Sequence, residues 1–150
     1  MYNDTITVFN RCETLDGIVW YPSVISNVDF NADRANIVAT YGGESAENAT
    51  LHIRCDADNV IECKYGRKPF MYPKEWRNLY SDVMQNYITF SSGTNFDFFM
   101  LGEWPSEEPI SDDAYVDGFY NYLNRYRDNV YAITKMAIFS VIPHIEIMGK

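Results

Sequence analysis

The chain has 150 residues, a length that suits one domain able to bury a core of its own. Hydrophobic residues make up 47% and charged residues 22%, which excludes a wholly disordered chain. Twelve Lys and Arg against 21 Asp and Glu leave a net charge of −9, with Arg67-Lys68 the densest basic spot, so phosphate-neutralising DNA binding and an anionic membrane surface are both disfavoured.

Residues 4–10 alternate, with Ile6 and Val8 on one face, and predict a strand. Asp16-Gly17 is a hairpin turn signal, and residues 18–30 form the long return strand, with Trp20, Val24 and Val28 at common parity. Pro22 cannot donate to a ladder, which predicts an edge position or a bulge near Tyr21-Pro22. Residues 31–48 break the pattern. Asn31 is placed to cap a short helix from Ala32 to Thr40, Gly42-Gly43 ends it, and residues 44–48 form an acidic mobile loop. Residues 49–55 alternate again, with Leu51, Ile53 and Cys55 on one side and His52 and Arg54 on the other.

After a turn at residues 56–59 and a short segment at 60–65, residues 73–84 predict a helix. Pro73 lies in its first turn, and Trp76, Leu79, Tyr80 and Val83 follow at helical spacing. Residues 87–90 and 96–101 flank a five-residue loop and predict a hairpin. An acidic, proline-containing stretch at 103–117 leads into an amphipathic helix over 112–127, with Tyr115, Phe119, Tyr122, Leu123 and Tyr126 on one stripe. Strands at 130–139 and 143–148 close the chain. The order predicts a mainly β, α+β fold: a single domain over 1–150, built as a small antiparallel β-barrel or sandwich with helical insertions. Its expected core is Ile6, Val8, Trp20, Val24, Val28, Leu51, Ile53, Phe98, Ile133, Ile145 and Ile147.

No constellation of catalytic residues stands out. His52 and His144 fall in predicted strands without an adjacent nucleophile motif and are expected on the strand surface. Asp56, Asp58 and Asn59 resemble the opening of a calcium loop, but the sixth position lacks Gly and the twelfth is Arg67. An odd count of three cysteines and no leader-like segment predict a reducing compartment, with Cys55 a small core residue. No cofactor and no metal is expected. The tyrosine stripe of 112–127 is either a core-facing side or a partner surface. Trp104, Tyr115, Tyr122 and Tyr126 are the interface candidates. These features predict an assembly or binding protein rather than an enzyme.

Several segments in order carry a resemblance to a known class. They are residues 4–10, 20–30, 49–54 and 68–76, then 87–90 leading to Asp97-Phe-Phe-Met-Leu-Gly-Glu103, and the closing segments 131–135 and 144–150. Over about two-thirds of its length the chain resembles the head-completion proteins of tailed bacteriophages. These are the stopper or head-closure proteins of the neck, a class that includes minor capsid proteins of Firmicutes prophages. The resemblance implies a homo-oligomeric ring, expected to be a hexamer, in the head-tail connector of the virion, assembled in the bacterial cytoplasm. Its implied partners are further copies of itself, the portal or adaptor protein and the tail proteins, with genomic DNA passing through without specific binding and no membrane. It implies closure of the channel after genome packaging by residues 31–48, where Tyr41, Gly42, Gly43, Glu44 and Glu47 are the channel-loop candidates. The 103–127 segment exceeds a minimal stopper, which keeps an adaptor or a tail terminator as neighbouring readings, beside a generic soluble protein-binding barrel.

Overall fold

The computed structural model describes residues 2–32 and 49–150. The expected 32–40 helix beyond Ala32, the 44–48 loop and the channel-loop candidates Tyr41, Gly42, Gly43, Glu44 and Glu47 lie outside the described residues. Nine strands are described: β1 (Asp4–Thr14), β2 (Gly17–Ala32), β3 (Ala49–Arg54), β4 (Val60–Cys63), β5 (Gly66–Pro69), β6 (Phe98–Leu101), β7 (Ile110–Ser111), β8 (Val130–Phe139) and β9 (His144–Gly149). Two helices join them, α1 (Pro73–Arg77) and α2 (Phe119–Tyr126). The ladder runs β1-β6-β8-β9-β3-β2 and returns to β1, antiparallel throughout, closing a six-stranded barrel. β7 adds to the outer edge of β2, and β4–β5 is a separate hairpin. The fold is a small β-barrel with helical insertions.

Alternation along each strand gives the barrel two apolar faces. Inward, Ile6 and Val8 meet Ile25, Val28, Leu51, Ile53, Phe99, Ile133, Ile145 and Ile147. Outward, Phe9, Trp20, Phe98 and Met100 form a second layer with Ile110, Phe119, Leu123 and Val130. All eleven expected core residues are buried, but Trp20 and Phe98 belong to this outer layer. Gly149 marks the tightest inward approach. A Cβ there would stand 2.8 Å from Tyr131 Cβ and 3.0 Å from Phe99 Cε1.

One local expectation holds in its edge form, and four are corrected. The edge position expected of Pro22 holds: it pairs with Phe9 in unbroken register, and on its other side no described strand pairs with it and its carbonyl accepts from Gln85 Nε2 at 2.8 Å, so its nitrogen also points away from the β1 ladder. The register shift falls instead between Ile25 and Val28, where Asn27 has φ 58°, and it turns both residues inward. Asn31 and Ala32 do not start a helix; they pair with Thr50 and Ala49.

The 73–84 helix stops at Arg77. A continuous helix would separate residues 76 and 84 by about 12 Å along its axis. The chain instead curls around the Trp76 ring, whose Nε1 donates to Met84 O at 3.2 Å. The 87–101 hairpin does not form. Phe98–Leu101 pairs with β1 and β8, while the 87–90 segment is held through Asn10, whose Nδ2 donates to Thr89 O at 2.6 Å. The 112–127 helix is broken at Asp117 (φ 64°) and Gly118 (φ 91°), leaving a single 3-10 turn at Asp112–Ala114 before α2.

Candidate interaction site

The outer aromatic layer is built around Asp112. Its Oδ1 accepts from Trp20 Nε1 on β2 and from the amide of Phe119, both at 2.8 Å. One carboxylate oxygen thus ties the barrel wall to the first turn of α2, where unpaired amides favour negative charge. Phe119 then sits among Phe9 (5.1 Å between ring centroids), Trp104 (5.2 Å) and Tyr115 (5.0 Å). The chain of rings continues outward through Tyr115–Tyr122 at 4.7 Å and Tyr122–Tyr126 at 5.0 Å.

The four sequence-derived interface candidates therefore come together, but with different roles. Trp104 is half-buried, its amide donating to Thr7 Oγ1 at 2.9 Å and its ring edge-on to Phe9 and Phe119. Tyr115 and Tyr122 are half-buried and pack the helix down. Tyr126, 67% exposed, is the member that solvent reaches. The stripe is core-facing at Phe119 and Leu123 and becomes surface at Tyr126, so each of the two alternatives holds for part of it.

The sequence reading missed apolar residues at the hairpin turns. Leu15, between β1 and β2, is fully exposed, and between β8 and β9 Val141 is 96% and Ile142 75% exposed. β1 and β8 both pair antiparallel with β6, so they run the same way, and the turns after them lie at the same barrel end. The available signal was the run Val141-Ile142-Pro143 where a turn ordinarily carries polar residues.

Buried polar groups elsewhere are structural. Asp97 is fully enclosed; its Oδ1 accepts from the Arg11 amide (2.7 Å), and its Oδ2 from the Ser91 amide (2.9 Å) and Asn10 Nδ2 (3.1 Å). Burial outweighs these donors and lifts its pKa to about 7. Lys68 Nζ donates to Ser23 Oγ at 2.8 Å and pairs with Glu107 at 3.1 Å. Ser23 is buried, so the contact offers a substrate no approach to the hydroxyl.

The Asp56 carboxylate accepts from the amides of Val60 and Asp58 and pairs with Arg67 at 2.6 Å; these contacts hold it below the usual carboxylate range and occupy the face a calcium ion would need. Burial pushes the Cys63 thiol up to about 12 and raises those of Cys12 and Cys55, which disfavours thiolate in all three. Cys55 is half-buried at the margin of the core. Among the described residues no three His, Cys, Asp or Glu side chains are grouped to hold a metal ion. His52 and His144, on neighbouring strands, share the carboxylate of Glu146. None of the described helices is long and apolar enough to cross a membrane.

No curated protein and no solved structure matches the chain. The model of a family of unknown function, DUF6751, matches residues 1–150, and the chain belongs to that family.

Proposed function

We propose that this protein is a non-catalytic structural component of a tailed-bacteriophage neck, the stopper layer that closes the portal channel after packaging and offers the tail a docking surface. The observation that supports this reading best is the pair of apolar turns at one barrel end, carrying Leu15, Val141 and Ile142. A closed barrel leaves few strand edges for a partner, and exposed apolar side chains gathered at one end mark a place where another protein docks. In this reading copies of the chain form a ring, expected to be a hexamer, and these turns meet the adjoining layer. The net charge of −9 suits a conduit, because a negative wall repels duplex DNA where a basic wall would retain it. An adaptor or tail-terminator position in the same neck uses the same surface.

The test is a cryo-EM map of the neck of particles encoded with this chain, together with a Leu15→Ser, Val141→Ser, Ile142→Ser variant. The expected result is a ring of these barrels between portal and tail, and tailless heads from the variant although its barrel folds. A neck without this barrel, or normally tailed particles from the variant, refutes the reading.

A further inference from the structure

The apolar β8–β9 turn is tied to the barrel by the Cys55 amide, which donates to Pro143 O at 3.4 Å, and by one side chain, His144. Its ring lies flat on Phe139, its cross-strand partner, with centroids 4.7 Å apart and planes within 5°. Nδ1 is 2.7 Å from the carbonyl oxygen of Ile142 in the turn, and Nε2 is 3.2 Å from Glu146 Oε2 on the barrel wall. Both partners of the ring are acceptors: a carbonyl oxygen accepts and never donates, and an ionised carboxylate does the same. A neutral imidazole carries one N–H, so it satisfies one of the two and turns a lone pair toward the other. An imidazolium satisfies both.

We propose that His144 is a proton-operated clip: as the imidazolium it ties the Ile142 carbonyl to Glu146 and holds the Val141–Ile142 tip in place, and on losing its proton it releases one end.

The charged groups around the ring bias this clip in both directions. Glu146 lies two residues along β9 on the same face and favours the cation. Arg54, opposite His144 on β3 and stacked 4.2 Å over the Tyr2 ring, disfavours it. His52, edge-on to His144 at 5.8 Å, stands between Glu146 Oε1 and Asp29 Oδ2, each 3.6 Å away, so the two rings share the Glu146 carboxylate. β8 contributes Phe139, whose ring face also attracts a cation. The balance lies with the proton: the Ile142 carbonyl, then Glu146, raises the pKa of His144 above 6.5. Stability from the clip is therefore complete below 6.5 and is lost as pH rises through the higher value in the folded chain. The clip acts in the free chain and does not depend on what docks at the tip.

The experiment follows the imidazole nitrogens of His144 by NMR from pH 5 to 9 in the full chain. Alongside, it follows amide exchange at Val141, Ile142 and His144, corrected for the intrinsic rate. The expected result is a His144 midpoint above 6.5 and a fall in tip protection of roughly 3–10-fold with the same midpoint, as suits the loss of one hydrogen bond. His144→Phe keeps the ring stack and should abolish the pH dependence. Glu146→Gln, which leaves the ladder intact, should lower the His144 midpoint if the Phe variant misfolds. A midpoint at or below 6.5, tip protection constant across the range, or pH dependence persisting in His144→Phe overturns the proposal.

Discussion

Asp97→Asn isolates the energetics of the group that replaces the missing hairpin. The carboxylate receives three N–H donors: the Arg11 amide on Oδ1, and the Ser91 amide with Asn10 Nδ2 on Oδ2. An asparagine oriented to keep the two bonds at Oδ2 directs its NH2 at the Arg11 amide; the opposite orientation keeps one bond and loses two. At least two donors, Arg11 N–H and the new amide, are then buried without acceptors, at about 1–3 kcal/mol each. Relief of the buried charge opposes this at high pH only.

With a folded pKa of about 7 against 3.8, the native chain holds a proton across that window that the unfolded chain gives up. Wild-type stability therefore falls as pH rises from 3.8 to about 7, by an amount of order 4 kcal/mol from this one group. The protonated acid meets the asparagine's problem only in part: its O–H is one more donor, but its hydroxyl oxygen keeps lone pairs for the facing N–H that an amide nitrogen lacks. The expected outcome is a variant less stable than wild type by about 1–3 kcal/mol at pH 5, with the gap narrowing as pH rises to about 7 and level above it. Urea unfolding followed by the fluorescence of the buried Trp20 and Trp76 measures it, and the difference between the two proteins cancels the other titrating groups. A variant within about 0.5 kcal/mol of wild type at pH 5, or a gap that stays constant to pH 8.5, refutes this account of the site.

Asp112→Ala orphans both Trp20 Nε1 and the Phe119 amide, and should cost about 2–4 kcal/mol with faster amide exchange in α2; a loss below about 1 kcal/mol would show that the carboxylate is dispensable. Gly149→Ala drives a methyl into Tyr131 and Phe99 and should lower stability by about 1–3 kcal/mol, read from the urea midpoint. In the native state at pH 8 a maleimide should label Cys55 first and leave the buried Cys12 and Cys63 protected until urea is added; early labelling of Cys63 would contradict its burial. A gel-shift titration near about 50 mM salt should show no duplex binding, and micromolar retention would defeat the conduit reading.

Alternation made the barrel legible. Ile6, Val8, Leu51, Ile53, Ile145 and Ile147 face inward as period-2 residues must, and none needs a remote partner to be recognised. Parity failed in β2 because one extra residue at Asn27 brings Ile25 and Val28 to the same side, and local sequence gives no weight to that insertion. Helix and hairpin boundaries failed wherever a distant side chain took the backbone bonds: Trp76 on Met84, Asn10 on Thr89, Asp112 on Phe119. The aromatic stripe was legible as a pattern, but its division into anchors and the exposed Tyr126 depends on Trp104 and Tyr115 arriving from outside the helix. The two histidines lie 92 positions apart and meet because His52 stands opposite Glu146 in the β3–β9 register, a fact of pairing and not of spacing.

These polar ties bear on how the barrel presents its apolar end. β6 is four residues long, yet it is the strand that joins β1 to β8 and closes the ring. Beyond it, closure passes to the backbone of Asp97, whose carbonyl accepts from the Ile133 amide at 3.0 Å, while its carboxylate grips β1 and Ser91. The wall is therefore held by buried hydrogen bonds at the point where the ladder is shortest, and local opening there exposes Asp97 to water. The β1–β2 and β8–β9 turns project from this wall and share none of those bonds; the second is fastened through His144 alone among the side-chain contacts described for residues 139–144. A docking partner at that end can reorder Val141 and Ile142 without opening the barrel, because what holds the tip is separable from what closes the ring.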